Sequence, residues 1–346
     1  MLISWPVIFV AMSLNENIEH KKELRYDWDR QEIADIYNRP LLNLIYEAAT
    51  IHRMWHKADE IQLSTLLSIK TGGCPEDCSY CGQAARYHTD IQVQALLPLG
   101  TVLDHARRAQ ANGASRFCMA AAWREVRDNR DFDKVLEMVS AVNAMGLEVC
   151  CTLGMLTEDQ ARRLQEAGLF AYNHNLDTSE AYYDKIISTR KFDNRLHTID
   201  NVRKAGMTVC SGGIIGLGET VEDRIAMLCT LSNMPQHPES VPINALARVK
   251  GTPLENLPKV KIWDMVRMIA TARIIMPSTM IRLSAGRMEM EEEEQAWCFM
   301  AGANSIFTGE KETLLVTPNP GVSEDSAMLD NLGLKPALYR PKNHLS

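Results

Sequence analysis

The stretch SRFCMAAAWREVRDNRDFDKVLEMVSAVNAMGLEVCCTL (Ser115–Leu153) reads as one strand–helix–strand unit. Arg116–Ala122 is a short, mostly apolar run, as a buried strand requires. Phe132–Met145 follows, with Phe132, Val135, Leu136, Val139 and Val142 on one face at helical spacing. Gly146 stands just past the helix end, where a left-handed backbone costs glycine little. A second strand, Glu148–Leu153, begins two residues later.

The same punctuation recurs outward from this unit. Asn112-Gly113, Ala167-Gly168 and Ala205-Gly206 each close an amphipathic segment and lead into an apolar run. Further strands are expected at Thr65–Lys70, Phe170–Leu176, Thr208–Ile215, Val241–Val249, Met280–Ser284 and Ser305–Thr308. Helices are expected at Val102–Asn112, Thr157–Ala167, Arg195–Ala205, Val221–Asn233, Ile262–Ile275 and Glu291–Ala301. Eight such strands in 346 residues predict an α/β fold, a (β/α)8 barrel of the TIM type, over an open doubly wound sheet. The barrel is expected over 61–320, behind a helical extension at 26–60 and ahead of a tail at 321–346. Residues 1–25 are expected to be disordered or an over-extended reading frame with its true start at Met12. The apolar run Leu2–Met12 is too short to span a bilayer and contains Pro6.

Composition narrows the function classes. The net charge is −7 and no Lys/Arg block stands out, which argues against capture of nucleic acid. Nine cysteines make an odd count, and three fall within eight residues. That pattern suits a metal site in a reducing, cytoplasmic setting rather than disulfides. In a barrel, Asn173, Asn175, Asp177, Asn244 and the strand cysteines would converge on the axis or its C-terminal mouth, where active sites lie.

The sharpest motif is Cys74-Pro-Glu-Asp-Cys78-Ser-Tyr-Cys81, directly after the first strand. Three thiolates on one loop with no fourth ligand nearby suit a [4Fe–4S] cluster with one open iron. A zinc knuckle, usually built on four ligands, and three ordinary thiols are the alternatives. The loop resembles that of the radical S-adenosylmethionine superfamily. There the open iron binds S-adenosyl-L-methionine, and electron transfer yields a 5′-deoxyadenosyl radical. Such a radical takes hydrogen from a C–H bond that no positioned base can ionise.

Cys118, Cys150 and Cys210 lie on separate strands, and each alone reads as a small buried hydrophobe. Together with the loop, and with STLLSIKTGGCPEDCSYCGQAARY (Ser64–Tyr87), YNHNLDTS (Tyr172–Ser179), VCSGGIIGLGET (Val209–Thr220), SVPINAL (Ser240–Leu246) and IRLSAGR (Ile281–Arg287), they resemble the biotin synthase family. The resemblance runs from about Arg39 to Pro320. It implies that Cys118, Cys150, Cys210 and Arg282 hold a catalytic, sulfur-donating [2Fe–2S] cluster. Arg282 would then bind as a neutral guanidine, because a protonated one has no lone pair to offer. Neighbouring strand residues face opposite sides, so Cys150 rather than Cys151 is expected inside. Cys229 and Cys298 read as helix packing residues.

The resemblance further implies that Tyr80, Gly212, Ile214 and Gly216 contact adenine. Asn175 and Asp177 would hold the ribose and Arg195 the methionine carboxylate. Asn173, Asn175 and Asn244 match a ureido ring that both donates and accepts, and Thr317 would lie near the substrate carboxylate. Family members usually carry two threonines before Pro-Asn-Pro; here the first is Val316. The implied reaction converts dethiobiotin to biotin. It implies an electron donor such as flavodoxin, iron–sulfur assembly machinery and a homodimer. The rivals are a radical mutase or maturase without the second cluster, and a zinc-stabilised binding module.

Overall fold

The structure is a computed structural model that describes residues 23–309 and 318–338. Two helices open it, α1 (Arg30–Tyr37) and α2 (Leu41–Trp55). The order continues β1 (Glu60–Lys70), α3 (Leu99–Ala111), β2 (Arg116–Ala121), α4 (Arg130–Asn143), β3 (Glu148–Thr152), α5 (Glu158–Glu166) and β4 (Ala171–Asn173). Then come α6 (Glu180–Tyr183), α7 (Phe192–Lys204), β5 (Thr208–Cys210), β6 (Gly213–Ile215), α8 (Val221–Ser232) and β7 (Ser240–Ala245). The chain finishes with α9 (Ile262–Ile275), β8 (Met280–Leu283), α10 (Glu292–Met300), β9 (Ser305–Phe307), α11 (Val322–Asn331) and β10 (Lys335–Pro336).

Strands β1-β2-β3-β4-β5-β7-β8-β9 are parallel neighbours, and β9 pairs back onto β1 through Gln62↔Ser305 and Leu63↔Ile306. The sheet is therefore a closed eight-stranded barrel, as expected. Closure removes every free edge except where β10 adds to the start of β1 through Glu60↔Lys335. Gly113, Gly146, Gly168 and Gly206 all take positive φ, from 78° to 95°, at the four helix ends where the sequence placed them. Thr157 caps α5 with the reciprocal Gln160 bond, and at the start of α10 the Glu291 amide donates to the Glu294 carboxylate.

Two expected strands, Phe170–Leu176 and Val241–Val249, end early at Asn173 and Ala245, and a third is broken. Thr208–Ile215 is interrupted at Ser211–Gly212, giving β5 and β6, both paired with β7. Pro242 of β7 stands at the break and has no N–H to donate. The Gly212 carbonyl instead accepts from the amides of Leu176 and Asp177. A Cβ at Gly212 would overlap the Pro242 carbonyl oxygen, so only glycine fits.

Most of the apolar core lies between barrel and helices, including Phe117, Met119, Val149, Cys151 and Ile281. Helix α2 packs on α9, and α1 packs on α8 and α9, so the N-terminal extension covers one side of the barrel. Arg287 and Asp325 form a fully buried ion pair that ties α11 to the turn after β8. Residues 1–22, 310–317 and 339–346 lie outside the described residues, and with them the Met12 expectation, Val316 and Thr317.

Candidate active site

The cysteine loop leaves β1 through Gly72 and Gly73, both at positive φ near 70°. The Cys74 amide donates to the Gln83 carbonyl and the Ala85 amide to the Cys74 carbonyl, closing the loop on itself. Asp77 clamps it to the segment before α7: it accepts from the amides of Ser188 (2.9 Å) and Thr189 (3.2 Å), from the Ser188 hydroxyl, and from Arg86 (2.8 Å). Burial alone would raise the Asp77 carboxyl, but these hydrogen bonds outweigh it and hold it at about 2.

Cys74, Cys78 and Cys81 line one cavity of about 170 Å³ at the C-terminal mouth, together with Asn173, Asn175 and Asp177. Burial pushes the Cys78 thiol up to about 11 and the Cys81 thiol to about 12. Thiols raised this far stay protonated unless a metal displaces the proton. Among the described residues no three His, Cys, Asp or Glu side chains are grouped to hold a single metal ion. A [4Fe–4S] cluster takes one thiolate per iron, so three thiols spaced around a cavity fit it.

Below the mouth lies the second set. Cys118 and Cys150 are register partners across β2 and β3, and they pack together with Ala171. A hydrogen bond from Cys150 holds the Cys118 thiol down, while Cys150 itself is pushed up by that bond and by burial. Cys210 Sγ accepts from Asn173 Nδ2 at 3.2 Å and lies 3.7 Å from Arg282 Nη1. Arg282 is 1% exposed. Its Nε donates to Ser305 Oγ (3.0 Å) and its Nη2 to Ser64 Oγ (3.2 Å) and Gln62 Oε1 (3.4 Å). Hydroxyls and an amide orient this guanidinium while Nη1 faces sulfur. Cys118, Cys150, Cys210 and Arg282 thus come together inside the barrel, a donor set that suits a sulfur-rich two-iron centre. Cys151 sits in the outer core and Cys298 is buried in α10.

The nucleotide-site candidates also converge, already paired with one another. Asp177 takes a left-handed φ of 69° that aims its carboxylate at the Tyr80 hydroxyl (2.7 Å) and the Arg195 guanidinium. Arg195 also donates to the Asn175 carbonyl at 2.8 Å. Burial opposes its charge, but Asp177 together with Tyr183, Tyr80 and Cys78 outweighs it and the Arg195 pKa is raised. Asn173 and Asn175 are joined at 3.1 Å, and Asn175 Oδ1 accepts the Gly212 amide. Asn244 is held between the Gly213 carbonyl and the Ala285 amide. Ile214 and Gly216 lie on and just after β6, with Gly216 at φ 90°.

Sequence reasoning missed several groups. Glu76, His174 and Arg190 line the mouth cavity, and His174 Nε2 has no partner among the described residues. Burial pushes the His174 imidazole well below its ordinary value, so it faces the cavity neutral. Glu76 and His174 stand inside motifs already singled out. Gln62 and Ser64 were signalled by polar residues in a strand too buried for them.

Two family models match the chain. One is described as the radical SAM superfamily and covers residues 68–229; the other, the biotin and thiamin synthesis associated domain, covers 242–335. The chain is 63% identical over 314 residues to a biotin synthase of Cytophaga hutchinsonii, covering 91% of this chain and 93% of that one. It is 62% identical over 313 residues to a biotin synthase of Nostoc punctiforme, covering 90% and 93%. Among solved structures it resembles methylornithine synthase, with a TM-score of 0.78, 18% identity, and 94% and 98% of the two chains covered. It also resembles a maturase of the [FeFe]-hydrogenase, with a TM-score of 0.78, 17% identity, and 95% and 75% covered. Likeness at these identities speaks for the fold alone.

Proposed function

The chain belongs to the biotin synthase family, and from that membership we propose that it inserts sulfur into dethiobiotin to form biotin. The observation that carries this reading is the meeting of Cys118, Cys150, Cys210 and Arg282 beneath the three-cysteine loop. When bound, a [4Fe–4S] cluster with S-adenosyl-L-methionine supplies hydrogen-abstracting radical chemistry, and a [2Fe–2S] cluster supplies transferable sulfide.

The chain's own residues hold and orient. Cys74, Cys78 and Cys81 ligate the first centre, and the Asp77 clamp fixes their loop against the segment before α7. Asn175 and Asp177 face the ribose, Arg195 the amino-acid carboxylate, and Tyr80, Gly212, Ile214 and Gly216 the adenine. Because Asp177 and Arg195 already satisfy each other, the site is set before ligand arrives and loses little on binding it. Asn173, Asn175 and Asn244 present amides to the ureido ring. Asn173 also touches Cys210 Sγ, which links the substrate's position to the deep centre. The reading includes an electron donor such as flavodoxin, an assembly system for the second cluster, and a homodimer. It places the protein in the cytoplasm; no helix among the described residues is long and apolar enough to cross a membrane.

The test is anaerobic turnover with dethiobiotin, S-adenosyl-L-methionine and reductant. Cys118→Ala is expected to abolish biotin while cofactor cleavage at the loop centre continues. Biotin at wild-type yield from that variant contradicts the reading. A radical mutase or maturase predicts cofactor cleavage with no biotin from the native chain.

A further inference from the structure

The end of the barrel opposite the mouth is expected to be closed and to bear on stability alone. In this chain it holds a cavity of about 630 Å³. Gln62, Arg116, Glu148, Phe170, Thr208 and Met280 line it, all at or beside the starts of barrel strands. The Cys118↔Cys150 pair lies above it, further along the same strands toward the mouth. Phe170 lines the cavity and packs against the buried cluster of Cys118, Cys150 and Ala171. Arg116 and Glu148 are register partners two residues before the Cys118↔Cys150 pair, so about 7 Å below it on the same face. Gln62 donates to Glu148 and accepts from Arg282 and Ser305. Arg116 is 4% exposed, and its Nη1 has no hydrogen-bond partner among the described residues. An unpaired N–H of a buried cation is costly unless a ligand visits it.

We propose that this basal cavity is a second entrance to the strand-cysteine chamber, through which inorganic sulfide and ferrous iron reach Cys118, Cys150 and Cys210 without crossing the mouth. The supply role rests on the reading that the chamber holds a cluster whose sulfide is consumed. With cofactor and substrate in place the mouth is filled, while every turnover removes sulfur from below. Walls of both signs, with Arg116 and Lys57 beside Glu148 and Glu239, solvate an entering anion and an entering cation alike. An apolar pocket would exclude both.

The full-length, cluster-free chain is treated with iodoacetamide under nitrogen, and alkylation of each cysteine is timed by peptide mass spectrometry. Cys74, Cys78 and Cys81 at the opposite mouth are the internal reference. Thr208→Trp, which narrows the cavity, is expected to slow Cys118, Cys150 and Cys210 by about tenfold and leave the loop cysteines unchanged. Phe170→Ala, which removes the ring packed against that cluster, is expected to speed the same three. Should Thr208→Trp misfold, Gln236→Trp at the rim serves in its place. Sulfide regained after one turnover is expected to return about tenfold more slowly in the narrowed variant, with the first turnover unaltered. Deep and loop cysteines changing together, no change in either variant, or unslowed sulfide recovery overturns the proposal. Iron uptake reads the cluster assignment separately: about six irons per chain with two clusters, about four if the chamber holds none.

Discussion

Asp177 shows how much the site asks of single residues. Its left-handed backbone is a conformation that aspartate tolerates better than most residues, and the turn delivers its carboxylate to Arg195 and Tyr80. Both members of the ion pair are at least 96% buried. Asp177→Asn leaves a buried guanidinium without its counter-charge, a loss of about 3–5 kcal/mol on general grounds. Urea unfolding of the variant is expected to show that drop; a midpoint within error of wild type would mean that the pair does not hold the mouth together. The acidic and basic partners stand 18 residues apart in sequence. Motif reading nominated both, but as separate ligand contacts. Their pairing needed the fold, because only the bend at Asp177 brings the two side chains together.

Elements act on the site through their ends. The break between β5 and β6 exists because Gly212 lies against Pro242, and the sequence shows both residues but not their approach. Gly212→Ala is expected to destabilise the protein by more than about 2 kcal/mol, since the obstructing atom is backbone and cannot rotate away. Thermal unfolding reads this directly, and an unchanged melting temperature would show the approach to be looser. Helix α2 carries a different liability. Burial, aided by Arg273, holds His56 at about 4 and His52 at about 3. The unfolded chain takes up those protons near 6.5. Between about 6.5 and 4 the unfolded state therefore binds more protons, and stability falls as pH drops. His52→Phe should flatten that fall in denaturant midpoints measured across the window. A slope as steep as wild type would place the acid sensitivity elsewhere.

At the scale of the molecule, the barrel was legible because it is written locally. Four glycines past helix ends, capping residues such as Thr157, and helical or strand periodicity each need only a few neighbours in sequence. The two cysteine sets were legible for a different reason: the loop is a local word, and the strand set was singled out by the family resemblance of the words around it. What stayed hidden is pairwise and distant. Asp77 grips Ser188 and Thr189 across more than 100 residues. Arg116 meets Glu148 through strand register, and the basal cavity arises where eight strand starts meet. None of these has a sequence signature of its own.

The two sets of cysteines stand at different depths along one barrel axis, and the account depends on each holding iron. Mössbauer spectroscopy of anaerobically reconstituted protein tests this most directly. The expected spectrum contains a four-iron and a two-iron component, with areas near about two to one, and the smaller one disappears in Cys118→Ala. A single four-iron component in the native chain, or zinc in place of iron, would contradict it.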